Sequence, residues 1–114
     1  FTMGYRSMHL CGYAEQHFDT LYHELGIRGL NGPGPFVDLG GILSRLPELS
    51  IRAQTDHTVL ITGPVSEIDS MMSGMLTDET KLPGRYAIDA FMIHNTPMEH
   101  VRTMYEAGKR YGRT

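Results

Sequence analysis

Residues 85–95, RYAIDAFMIHN, constrain the fold more than any other stretch of this chain. They form the longest strand-like run, apolar on both alternating faces except at Asp89. A strand with one buried face alternates apolar and polar residues, whereas one that is apolar on both sides is covered on both sides. The rest of the chain must therefore supply helices for one face of a sheet, and something further for the other.

YRSMHLCGY alternates Tyr5, Ser7, His9 and Cys11 against Arg6, Met8 and Leu10, the pattern of a half-buried strand. AEQHFDTLYHELG changes to helical spacing, with Phe18, Leu21, Tyr22 and Leu25 on one face and Gly26 as a stop. IRGLNGPGPF is crowded with glycine and proline and reads as a surface loop. VDLGGILSRLPE then holds one short helix ended by Pro47, so 26–48 is expected to be an inserted connection, a lid or an interface arm. LSIRAQ and HTVLITG are two strand-like runs around Thr55-Asp56, the pattern of a tight hairpin. PVSEIDSMMSGML is helical through Val65, Ile68, Met72 and Met75 or Leu76, and DETKLPG is a loop. TPMEHVRTMYEAGKRYG closes the chain as a helix, with Met98, Val101, Met104 or Tyr105, and Tyr111 inward.

Apart from the insert and the last helix, the order is βαββαβ. The expected fold is a single α+β domain over 1–114: a two-layer ferredoxin-like sandwich with an inserted Gly/Pro-rich connection and an extra C-terminal helix. The competing layout is α/β with a partly parallel sheet, in which FVDL adds another parallel strand. In the ferredoxin-like layout one sheet face is left open, and the two apolar faces of 85–95 make that open face an apolar surface that a neighbour must cover.

Composition narrows the function classes. With 114 residues the chain can bury a core without a disulfide staple. A net charge of −3 and a pI near 6.0 argue against a grip on phosphate backbones. Single-strand RNA readers display aromatics beside basic residues, and the strands here offer His9, Cys11, Tyr86 and Phe91 with little positive charge. A single cysteine excludes an internal disulfide framework and suits the cytosol, so a soluble, cytoplasmic protein is expected. No apolar run reaches membrane-spanning length and FTMGYRS lacks the apolar core of a signal peptide, while a start at Phe1 suggests a processed product. Eight methionines are core filler or an adaptable contact surface.

Three chain junctions carry the candidate sites. In IHNTPMEH, Thr96 stands where an N-cap belongs, Pro97 at the first helical position and Glu99 three residues past the cap. A capping box needs no ligand; the functional alternative sets His94, Asn95 and Thr96 beside exposed amides that suit an anion. TGPVSE repeats the device with Gly63, Pro64, Ser66 and Glu67, although as a phosphate loop it lacks the following Lys-Ser/Thr. CGYAEQ puts Cys11 and Gly12 before a helix whose dipole could activate a thiol; otherwise Cys11 is a small buried hydrophobe. Asp89, inside an apolar strand, must be paired, protonated or at an exposed edge; Arg52 or Arg85 could pair with it, and the alternative is a functional acid. His94 and Asp89 are thus the catalytic candidates. No HExxH or paired CxxC occurs, so no metal is expected, the alternative being His9, His57 and His94 assembled in space.

Three short runs resemble segments of larger families. GYRSMH is similar to a run in guanosine-tetraphosphate synthetases, HFDTLYHELGI to the helix opening a vicinal-oxygen-chelate module, and YEAGKRYG to a helix of aminomethyltransferase-like folate proteins. Each lacks the pattern its family sets beside it, and no residue role follows from any of them.

The expectation for function is a small non-catalytic subunit, without cofactor, that self-associates or joins a larger assembly and touches neither nucleic acid nor membrane. The alternative is a small-ligand (anion or metabolite) binding protein or enzyme using the three junctions, with His94 as acid or base. A concave pocket shared by the junctions would favour the second, but the split βαβ topology puts the first two at one sheet end and the third at the other.

Overall fold

The computed structural model describes residues 5–12, 14–90 and 92–113. In chain order the elements are β1 (Ser7–His9), α1 (Phe18–His23, entered through a 3-10 turn), β2 (Gly29–Asn31), α2 (Leu39–Arg45), β3 (Ser50–Gln54), α3 (His57–Thr62), α4 (Val65–Met75), β4 (Tyr86–Asp89) and α5 (Met98–Tyr111). The four strands form one sheet in the order β1-β2-β3-β4, and every pairing is parallel.

The fold is therefore α/β with an all-parallel sheet, not an α+β ferredoxin-like sandwich, and the expected hairpin is absent. HTVLIT is six residues of mostly β-branched and apolar character, a length at which periodicity cannot separate strand from helix. The cap decides: the Asp56 carboxylate accepts from the Thr58 amide at 2.9 Å and starts α3 directly after β3. The 26–48 segment is likewise not an insert, since it contains both β2 and α2. FVDL, the additional strand of the competing layout, is instead a turn leading to Asp38, which caps α2 by accepting from the Gly41 amide at 3.1 Å.

Two glycines explain why β2 looks like loop. A Cβ on Gly29 would collide with the Tyr5 hydroxyl, and one on Gly32, at φ 109°, would collide with the Leu10 carbonyl oxygen and press on the His9 ring. They are sites of close approach between neighbouring chain segments, not flexible punctuation.

Strand alternation divides the sheet into two unlike faces. Met8, Leu30, Ile51, Ala53, Tyr86 and Ile88 point into the core, where Phe18, Ile42, Leu43, Leu60, Ile68 and Met75 from the helices meet them. A parallel sheet wound in sequence order sends its crossovers to one side. It also lacks the reversal of strand order that creates a binding crevice in Rossmann and flavodoxin-like sheets. The opposite face is open, and it carries Ser7, His9, Asn31, Ser50, Arg52, Gln54 and Asp89. The expected apolar open face is thus corrected to a polar one. β4 ends at Asp89, and Ala90 and residues 92–95 are not strand, so among the described residues the long apolar run is only partly strand.

The edges of the core also shift. Leu25, Val65 and Met98, expected inward, are exposed, of the pair Met104 or Tyr105 it is Met104 that is buried, and Met71 and Ala107 are buried as well. α5 packs beside α4, where the Arg110 guanidinium and Tyr111 hydroxyl donate to the Asp69 carboxylate at 2.8 and 2.6 Å. Arg85 donates to the carbonyls of Leu43, Leu46 and Leu49, satisfying the C-terminal end of α2 and leaving Asp89 to another partner. Among the described residues no helix is long and apolar enough to cross a membrane.

Candidate functional site on the open sheet face

The open face is built by alternation in β1 and by its register with β2. Ser7 and His9 project outward, and parallel pairing sets His9 opposite Asn31. His9 Nδ1 lies 2.7 Å from Asn31 Oδ1. A carboxamide oxygen only accepts, so Nδ1 carries the proton and the Nε2 lone pair faces the other way. Nε2 lies 2.7 Å from Cys11 Sγ, two residues further along the chain. Carboxamide, imidazole and thiol thus form one continuous chain of contacts, with Cys11 and His9 exposed to solvent.

The same row continues across the sheet. Asn31 pairs with Arg52 on β3, and Arg52 Nη1 approaches the Asp89 carboxylate of β4 at 3.7 Å. Beside this row the face sinks into an open depression of about 560 Å³, lined among others by Tyr5, Ser7, Asn31, Ser50, Arg52 and Ala87. Tyr5 forms one wall, held by a 2.8 Å hydrogen bond between its hydroxyl and Ser50 Oγ.

Compared with protein-family models, curated proteins and solved structures, the chain matches none.

The three sequence-derived junctions do not converge. Cys11-Gly12 and His94–Thr96 both follow the C-terminal ends of strands, but of β1 and β4, the opposite edges of the sheet. This replaces the expected split between sheet ends. Gly63–Ser66 connects α3 to α4 and follows no strand; Gly63, at φ 64°, packs against the His100 ring, and Ser66 is exposed. His100 has Nδ1 2.7 Å from the Leu60 carbonyl oxygen and so ties α5 to α3.

The capping box at 96–99 is not formed. Pro97 occupies the N-cap position without a side-chain bond, while the Thr96 hydroxyl donates back to the Ile93 carbonyl at 2.7 Å. Asn95 adopts a positive φ of 69°, and His94 is exposed. Asp89 is ion-paired on the open face rather than enclosed in an apolar strand. His9, His57 and His94 are not gathered: among the described residues no group of three His, Cys, Asp or Glu could hold a metal. Phe91 lies outside the described residues. Sequence reasoning picked out Cys11, Gly12 and His9 but missed Asn31, hidden in the run read as a loop. Arg52 entered only as a partner for Asp89.

Proposed function

We propose that this chain performs thiol-dependent chemistry on a small molecule bound at the open sheet face, with Cys11 as nucleophile, His9 as general base and Asn31 as the positioning residue. The contact chain Asn31–His9–Cys11 carries this reading. A nucleophile, a base within reach and a third group fixing the base's tautomer form a constellation that recurs on unrelated folds, Cys-His-Asn among its variants.

The chemistry that fits is acyl transfer. His9 Nε2 takes the Sγ proton as the thiolate adds to the carbonyl carbon of an ester or thioester. The tetrahedral adduct collapses, breaking the bond to the leaving alcohol or thiol, which receives the proton from the imidazolium. Water or a second acceptor then releases the acyl group from Cys11. A free, exposed thiol suits a reducing compartment, and a cytoplasmic location belongs to the proposal.

The test uses p-nitrophenyl acetate and the intact chain. One equivalent of nitrophenolate should appear in a burst, with an acetyl group on Cys11 by mass spectrometry. Cys11→Ser should abolish the burst, and His9→Asn should slow it roughly 100-fold, the usual scale of general-base assistance. An intact protein that acquires no acetyl group on Cys11 overturns the reading.

A second reading, a subunit that associates with itself or a larger assembly, draws on a different observation. Met92, Ile93, Met98 and Tyr105 are 40–64% exposed and follow or flank β4, the last strand of the sheet. Met92 and Tyr105 line one open hollow beside β4, and exposed apolar surface of this kind marks contact surfaces. Light scattering that finds a strict monomer at high concentration would exclude the self-associating form.

A further inference from the structure

We infer that the free edge of β4 docks a second copy of this chain: two β4 strands pair antiparallel about Ala87 and join two sheets into one. This deepens the self-associating form of the second reading above and rests on it. β4 stands last in the sheet order, so only β3 pairs with it. The Ile51 and Thr55 amides donate to the carbonyls of Arg85 and Asp89, which therefore face β3. Backbone groups alternate sides along a strand, so the N–H and C=O of Tyr86 and Ile88 point to the free edge, where no described residue bonds them. Unpaired edge groups are a template for another strand, and chains blunt them with proline, lysine or a bulge. YAID carries no proline or lysine and pairs with β3 in unbroken register.

Charge and register name the occupant. Arg85 opens the run and Asp89 ends it, so an antiparallel copy brings opposite charges side by side, whereas a parallel copy would bring like charges together. With Ala87 opposite Ala87 of the second copy, Tyr86 of each exchanges both backbone bonds with Ile88 of the other, and Arg85 of each stands opposite Asp89 of the other. Moving the axis to Tyr86 or Ile88 loses that charge match. The central pair exchanges no bonds and is the closest, about 4.5 Å between Cα atoms, and it falls on the small, exposed Ala87. A two-fold axis through it keeps both helical layers on one side of the joined sheet. The hollows of about 610 Å³ beside each β4 then meet, and exposed Met92 and Tyr105 in their walls are covered. The β1 edge offers no such match: joining it to β4 is a head-to-tail contact, which builds rings or filaments instead of a closed pair.

The test combines light scattering with cross-linking of the full chain. Cys11, the single cysteine, is first replaced by Ser, so that an introduced thiol is the only one. In a glutathione redox buffer Ala87→Cys should link two chains through a disulfide, since its Cα separation across the axis lies within the bridgeable range of about 4.4–6.8 Å. Asp89→Cys should not link, because in this register its two copies stand four residues apart along the strands, roughly 13 Å. Ala87→Lys sets two like charges face to face at an exposed position and should weaken association roughly tenfold or more, with the circular dichroism of the fold unchanged. A dimer in which Ala87→Cys links no better than Asp89→Cys, or which Ala87→Lys leaves intact, overturns the inference while the association reading stands on another surface. Failure of that reading looks different: the unaltered chain is then a monomer at every concentration, and the edge is left to a strand of another protein.

Discussion

Within the five residues of β3 the two faces of this sheet are set against each other. Ile51 and Ala53 point into the core at 2% and 0% exposure, while Arg52, between them, lies open to solvent. The same alternation runs through β1, with Met8 inward and His9 outward, and through β2, with Leu30 inward and Asn31 outward. Stability is therefore concentrated on one face, and the groups able to do chemistry on the other. A sheet wound in sequence order makes that separation possible, because its helices need only one side.

Mutating neighbours tests the separation most sharply. Ile51→Ala should cost about 2–4 kcal/mol, the loss of buried methyl groups plus an incompletely filled cavity. Arg52→Ala should stay within about 0.5 kcal/mol, as exposed substitutions usually do. Denaturant midpoints at neutral pH measure both. Equal losses at the two positions would mean that the open face is covered in solution by something that needs Arg52 for its stability.

A smaller effect probes how tightly the core face closes at its far strand. The Tyr86 hydroxyl donates to the Met75 carbonyl at 2.7 Å, and burial pushes the phenol well above its ordinary range. Tyr86→Phe should cost about 1 kcal/mol, the usual net value of such a bond. The pH sign follows from the raised value in the folded state. The contribution is complete below about pH 10, where the unfolded tyrosine is still neutral, and is lost as pH rises and the unfolded chain ionises first. Urea midpoints between neutral and strongly alkaline pH should accordingly fall more steeply for the unaltered chain than for Tyr86→Phe.

What could be read in the sequence was whatever the local period determines. Alternation in YRSMHLC placed Tyr5, Ser7, His9 and Cys11 together, and the strand-like run LSIRAQ coincides with β3 although the hairpin drawn from it does not form. Helical spacing located α4 and α5 to within a residue or two. Two features escaped for physical reasons. HTVLIT is too short for its period to be decisive, and its β-branched residues favour a strand until the Asp56 cap is considered. Gly29 and Gly32 look like loop punctuation because the crowding that requires them comes from Tyr5, His9 and Leu10, more than twenty positions upstream. Once β2 was missed, the site was missed with it. The contact between His9 and Asn31 joins residues 22 apart, and strand register, not sequence spacing, creates it. The apolar open face expected from RYAIDAFMIHN failed for a related reason: the strand ends at Asp89 after four residues, and Met92 and Ile93 beyond it are exposed.

The smallest expected effect concerns a polar cluster on the helical layer, far from the open face. The Tyr111 hydroxyl, donating to Asp69, holds that carboxyl below its ordinary range; partial burial opposes the shift, and the Arg110 guanidinium adds to it. Because the folded value is depressed, the contribution is present above the unfolded carboxylate value near pH 4 and is lost as pH falls through the folded value. Urea midpoints followed from neutral to strongly acidic pH should therefore drop further for the unaltered chain than for Asp69→Asn, and the two curves should approach each other at the acid end. Curves that stay parallel throughout would mean that α5 is held to α4 by Met104 and Ala107 alone, with the Asp69 cluster decorating the contact rather than securing it. Apolar burial would then account for the contact between these two helices, while Arg85, His100 and Tyr86 still supply polar ties elsewhere in the helical layer.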